Sequence, residues 1–114
     1  MKIYKIAQAM RVVAYHGSNI PIERFDRQYS AQGVFWFSED LNKILSQESG
    51  AASTKYIIKA ELNIVKTAGW DEYDKYGLGQ LEEMGYNSIK LDDDWVMFEE
   101  DDINILEVIE NENI

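Results

Sequence analysis

The sequence predicts an α+β domain, and three observations carry that reading. Residues 55–65 alternate, with Tyr56, Ile58, Ala60, Leu62 and Ile64 on one face and mostly polar side chains on the other, the period of a half-buried strand. Short apolar runs rich in β-branched and aromatic residues recur at 11–16, 33–37, 89–91, 95–98 and 103–109, set off by Gly, Asn, Asp and Ser. Between them lie segments with helical spacing or helix-ending signals. With 114 residues and 46% hydrophobic side chains, a single domain over 1–114 is expected, with enough apolar material for one packed core.

Taken in order, Ile3, Ile6, Ala7 and Met10 recur at helical spacing and predict a short helix over 2–10. Arg11 to His16 reads as a strand that Gly17-Ser18-Asn19 ends. Pro21, the only proline, begins a loop that Phe25 anchors. Gly33 to Phe37 is compact enough for a buried strand. Ser38-Glu39-Asp40 then reads as a helix start, with a capping hydroxyl and two acids in the first turn, and Leu41, Ile44 and Leu45 supply an apolar face. Residues 49–53 form a small-residue loop, and the alternating strand follows. Trp70, Tyr73 and Tyr76 mark an aromatic loop or short helix within 69–77, and Leu78 to Met84 reads as a helix closed by Gly85. After strand 89–91, Asp92–Asp94 turns the chain into strand 95–98, and Ile103 to Ile109 is the last strand, partly buried. The sum is about six strands and two or three short helices.

Charge is distributed unevenly. The formal net charge is −10, yet all 11 Lys and Arg precede Leu91, where they balance as many acids. Beyond Leu91 lie Asp92, Asp93, Asp94, Glu99, Glu100, Asp101, Asp102, Glu107, Glu110 and Glu112, with no base among them. Such a block reads as a solvated edge, or more sharply as a patch that docks a basic protein surface, or as catalytic carboxylates among solvated ones. The same balance argues against direct binding to nucleic acid or anionic lipid. No Cys is present, which removes disulfides and thiol nucleophiles and fits a reducing, cytoplasmic setting. No apolar run approaches the ~20 residues of a membrane span, and the N-terminus lacks a secretory pattern.

Few residues are left to carry chemistry. His16 is the only His, no Gly-x-Ser-x-Gly elbow, phosphate loop or dinucleotide glycine fingerprint occurs, and no spacing marks a metal site. Asp92-Asp93-Asp94 lacks the spacing and turn glycine of a calcium loop. What remains is a His at a strand end, an aromatic run and carboxylates ahead of a late strand. Each has a structural reading beside the functional one. His16 is a hydrogen-bonded structural His or a ligand contact, and Ser18 is a turn hydroxyl or a ligand contact. Trp36 is a core aromatic or, with Phe35 and Phe37 on the other strand face, a cleft residue. Trp70, Tyr73 and Tyr76 cover a pocket or simply pack.

Four blocks, Tyr15-His16-Gly17-Ser18, Gly33-Val34-Phe35-Trp36-Phe37-Ser38, Gly85-Tyr86-Asn87-Ser88-Ile89 and Trp95-Val96-Met97-Phe98, occur in an order that resembles ADP-ribosyltransferases. The similarity is to the diphtheria-toxin and poly-ADP-ribose polymerase branch, especially its small bacterial and phage members, and spans roughly Val12 to Leu106. It implies a split β-sheet core, NAD as substrate and transfer of ADP-ribose to a macromolecule, with a host protein as target in effectors of phages and mobile elements. The family pattern places a His on the first strand, a Tyr on the second and a Glu before a late strand. By that pattern His16 hydrogen-bonds a ribose hydroxyl and Gly17 holds the carboxamide. Trp36 stands at the Tyr position with Phe37 and Ser38 completing its block, and Asp93 or Asp94 stands at the Glu position. Trp keeps the π-face that stacks on the pyridinium ring. Asp is one methylene shorter than Glu, a misplacement of ~1 Å that costs ~100-fold in rate. The resemblance thus implies that His16, Trp36 and the aspartate turn converge on one cleft. A catalytically inactive binding module or acidic inhibitor on the same fold is the alternative, and the Trp and Asp replacements are what such a module would carry.

Overall fold

The computed structural model describes residues 10–46 and 54–111. Among them, seven strands form one sheet and three short helices pack around it. The strands are β1 (Met10–Ser18), β2 (Phe35–Ser38), β3 (Tyr56–Ile64), β4 (Thr67–Ala68), β5 (Ser88–Leu91), β6 (Asp94–Met97) and β7 (Ile103–Glu110). The helices are α1 (Leu41–Leu45), α2 (Trp70–Lys75) and α3 (Leu78–Glu83). The sheet runs in the order β4-β5-β6-β2-β1-β3-β7, antiparallel throughout except for the parallel pair β4 and β5. The α+β expectation holds, with one strand more than foreseen. β4 is two residues long, too short for alternation to announce it.

Several boundaries differ from expectation for identifiable reasons. The helix over 2–10 and the loop at 49–53 lie outside the described residues, although Met10 already belongs to β1. Gly17 and Ser18 extend β1 rather than ending it, because β3 pairs with them at Ile57 and Tyr56. β2 begins at Phe35, since Gln32 (φ 59°) and Gly33 (φ 72°) are left-handed and break the strand before it. Ser38 is the last residue of β2 and does not cap a helix. The cap of α1 is Asp40, whose carboxylate accepts from the Asn42 N–H at 2.9 Å. Asp94 belongs to β6, so the β5–β6 turn is Asp92-Asp93, with Asp92 left-handed at φ 60°. The expected glycine stop after α3 is present. Gly85 sits at φ 92° and donates to the Glu82 carbonyl while Tyr86 donates to that of Leu81, the paired bonds of a Schellman end.

Strand alternation sorts the apolar side chains onto two faces. One face buries Ala14, Phe35, Phe37, Ile58, Ala60, Leu62, Ile64, Trp95 and Met97, and Phe25 packs onto it from the β1–β2 loop. The other buries Val34, Ala68, Ile89, Leu91, Val96 and Phe98 beneath Leu81 of α3, with Trp36, Tyr73 and Tyr76 at its margin. The loop bearing Phe25 is held by Arg27. Its guanidinium forks onto Glu82 of α3, reaches Glu99 at 2.9 Å and donates through Nε to the Gly33 carbonyl at 3.0 Å. Its backbone N–H donates to Glu100 at 2.7 Å.

The sheet has a weak seam. β1 pairs with β3 along its whole length, but its pairing with β2 is confined to one register position, Tyr15 opposite Ser38. Two half-sheets, β4-β5-β6-β2 and β1-β3-β7, therefore meet across little backbone bonding.

The corner between β3 and β4 rests on Asn87. Its Oδ1 accepts from the backbone N–H groups of Val65 (3.0 Å) and Lys66 (3.2 Å), and its Nδ2 donates to the Asn63 carbonyl (2.7 Å) and to Asp102 (3.2 Å). Asn87→Ala removes all four and is expected to lower the unfolding free energy by about 2 kcal/mol. Urea denaturation checks this. An unchanged midpoint would show that water replaces the amide without loss.

Candidate functional site

His16 lies at the seam. It alternates with Tyr15 and Gly17 on β1, so its ring falls on the Phe35–Phe37 face, edge-on to Phe25 (centroids 5.3 Å apart) and tilted against Phe37 (5.6 Å). Nδ1 is 2.7 Å from the backbone carbonyl of Trp36. A carbonyl only accepts, so Nδ1 carries the proton and Nε2 keeps the lone pair. Burial pushes the imidazole below the usual histidine range and outweighs the bond to Trp36, which acts the other way. The ring is therefore neutral at pH 7, and it bridges β1 and β2 where the strand ladder is sparse.

The Trp36 side chain projects to the opposite side. It packs half-buried at the margin of the Val96–Phe98 cluster, as alternation against Phe35 and Phe37 requires. Asp94 shares that face, since it alternates with Trp95 and stands opposite Ser38 in the β2–β6 register, two positions from the Trp36–Val96 pair. Its Oδ1 is buried without a hydrogen-bond partner among the described residues. Burial holds its carboxyl above the ordinary range, with the charges of Asp93 and Asp92 adding to the effect and the Ser38 hydroxyl and Lys43 opposing it. Gly17 falls on the same strand face as Tyr15, which is directly across from Ser38.

The structure thus brings Gly17, Trp36, Ser38 and Asp94 together on one face and does not bring His16 there. The convergence of imidazole and indole in one cleft is corrected accordingly: the two residues are joined through the Trp36 backbone and their rings lie on opposite sides of the sheet. Phe37 is a buried core residue of the His16 face. Ser18 is buried, and its hydroxyl accepts from the Ile20 N–H at 3.2 Å, the turn role foreseen as one of its two readings. Asp93 is exposed and paired with Lys43 at 2.9 Å, which holds its carboxyl below the ordinary range. Asp92 accepts from the Trp70 indole at 3.3 Å.

Two residues near the site escaped the sequence reading. Glu39 was expected as a helix-start acid but accepts from the Trp95 indole N–H (2.9 Å) and the Lys90 ammonium (3.2 Å), on the face that carries His16. The signal was the period of β2, which carries Phe35, Phe37 and the next odd position to one side. Lys43 left no such signal, because its reach to Asp93 depends on how α1 sits over the β5–β6 turn. Among the described residues, no three His, Cys, Asp or Glu side chains are grouped as metal ligands would be.

The raised carboxyl of Asp94 has a stability consequence of definite sign. A group whose value is higher in the folded than in the unfolded chain contributes stability that is full below its ordinary value of 3.8 and is lost as pH rises through the folded value. Asp94→Asn cannot ionise. It is expected to exceed the parent in thermal stability at pH 7, with the gap closing toward pH 3. Thermal unfolding across that range is the check, and a variant less stable at pH 7 would mean that the carboxylate is a structural acceptor. No family model matches the chain and no curated protein matches it, so its site is read from its own geometry.

Proposed function

We propose that the chain is an ADP-ribosyltransferase-like domain that takes NAD as substrate and binds it against the face carrying Gly17, Trp36 and Asp94. The observation that carries this reading is the placement, on adjacent strands of one face, of a half-buried indole and a carboxylate with an unpartnered buried oxygen. An indole face attracts a flat cationic ring, which the pyridinium of nicotinamide is. A carboxylate beside it stabilises positive charge that develops on the attached ribose. The single-pair seam between β1 and β2 supports the split-sheet expectation, since the ladder between these strands is confined to Tyr15 and Ser38.

In this proposal the glycosidic bond between ribose C1′ and the pyridinium nitrogen breaks, and nicotinamide leaves neutral with the bonding pair. The oxocarbenium character left on the ribose, as in glycoside cleavage, is met by the Asp94 carboxylate. The acceptor nucleophile then bonds C1′ and gives its proton to Asp94 or to water. Ser38 stands directly opposite Asp94 on β2, and its hydroxyl favours the ionised carboxylate. His16 serves from behind by fixing the Trp36 carbonyl, and so the set of the indole. Asp94, unpartnered and shielded, is the better catalytic candidate than Asp93, which is exposed and neutralised by Lys43. The acceptor is a macromolecule, and a formal charge of −10 favours a protein with a basic surface over nucleic acid.

One observation favours a second reading, a catalytically silent NAD-binding or protein-binding module: the imidazole of the only His lies on the sheet face opposite the side chains of Trp36 and Asp94.

The two readings separate in one experiment. Saturating NAD at about 100 times Kd is expected to raise the unfolding free energy of the parent by about 2.7 kcal/mol. Trp36→Ala is expected to abolish that rise. Asp94→Asn is expected to keep it while lowering transfer of labelled ADP-ribose to a lysate by at least ~100-fold. NAD stabilisation without transfer in the parent would select the silent module, and no stabilisation at millimolar NAD would remove both NAD readings.

A further inference from the structure

We propose that the outer edge of β7 is a docking site for an extended, lysine- or arginine-rich segment of a partner protein, which adds to the sheet as an eighth strand. Among the described residues β7 ends the strand order and pairs only with β3, so one side of its eight-residue backbone has donors and acceptors that no other described strand pairs. The opposite edge, β4, is two residues long and offers no comparable ladder. β7 also exposes apolar surface, with Leu106 47% and Val108 38% accessible.

The register explains Leu106. Ala60 stands opposite Ile105 and Lys59 opposite Glu107, so Leu106 is the extra residue of a bulge with no partner on β3. Its side chain is available as an anchor for an incoming strand.

Charge selects the occupant. β7 carries Glu107 and Glu110 and no base, and no Lys or Arg follows Leu91 anywhere in the sequence. Beside its first residues opens a polar hollow of about 330 Å³ lined by Arg11, Glu61, Asn63, Asp101, Asp102 and Asn104. The one cation there is already paired with Glu61 at 3.3 Å and Asp102 accepts from Asn63 and Asn87, which leaves Asp101 to meet a cation from outside. A second copy of the chain fits poorly. Antiparallel pairing of two β7 strands sets glutamates near glutamates between molecules that each carry −10, and the bulge interrupts a continuous self-ladder. A basic strand removes the charge repulsion and meets one bulge where a second copy would bring two, and backbone bonding together with charge gives the recognition.

The test uses the isotope-labelled protein and a capped peptide of about eight residues alternating lysine and valine. Binding is expected to shift the amide resonances of β7 and to slow hydrogen exchange there. It is expected to weaken as salt rises from 50 to 500 mM, and to fall by at least about tenfold when alternate peptide nitrogens on the bonding edge are methylated, since each methyl removes a backbone hydrogen bond. Methylation alters the peptide alone, so a misfolded protein cannot mimic that loss. Glu110→Lys is expected to weaken binding as well. Equal binding of the methylated peptide, shifts confined to other strands, no binding at millimolar peptide, or a dimer formed through β7 under the same conditions would each overturn the proposal.

Discussion

The hydrogen bond between the His16 imidazole and the Trp36 carbonyl sits where the sheet has least backbone of its own to hold it. β1 and β2 share one register position, yet the two half-sheets on either side must stay aligned for the large apolar face to close over Phe35, Phe37 and Ala14. The imidazole supplies a polar link at that seam, and Phe25 covers it from the loop. Because burial keeps the ring neutral, the link costs no buried charge. The anchoring of Phe25 in turn depends on Arg27, which ties the same loop to α3 and to the β6–β7 connection. Loop, seam and both faces are therefore coupled through a few side chains.

Alternation along β2 and β6 decides which residues serve packing and which are left for chemistry. Phe35, Phe37, Trp95 and Met97 point to a closed, satisfied face where even the Glu39 carboxylate has two donors. Trp36, Ser38, Asp94 and Val96 point to the other, and there a carboxylate oxygen is left unmatched among the described residues. A buried acceptor without a donor is a stability cost that packing alone does not explain. A role in holding positive charge on a bound ligand gives it a reason.

Much of this was legible in the sequence because period two is a strong code. The 55–65 alternation, the opposite facing of Trp36 and Phe37, the Phe25 anchor and the Gly85 stop all follow from local rules that the tertiary structure left intact. What was not legible depended on partners distant in sequence. Ser38 stays in β2 because β6 pairs with it through Asp94, and Gly17 and Ser18 stay in β1 because β3 does. The position of His16 shows the same limit. A His two residues before the end of a strand has a face fixed by its neighbours, but only the β1–β2 seam reveals that it reaches the Trp36 backbone and not the Trp36 ring.

In the proposed function the face of Trp36 and Asp94, and not the face of His16, receives NAD. Titrating NAD into the isotope-labelled protein while following the Trp36 indole N–H and the backbone amides measures this directly. The expected result is a set of saturable shifts at Gly17, Trp36, Ser38 and Asp94 that exceed those at Phe25, Glu39 and Trp95. Shifts concentrated on Phe25, Glu39 and Trp95, with Trp36 and Asp94 unmoved, would contradict it.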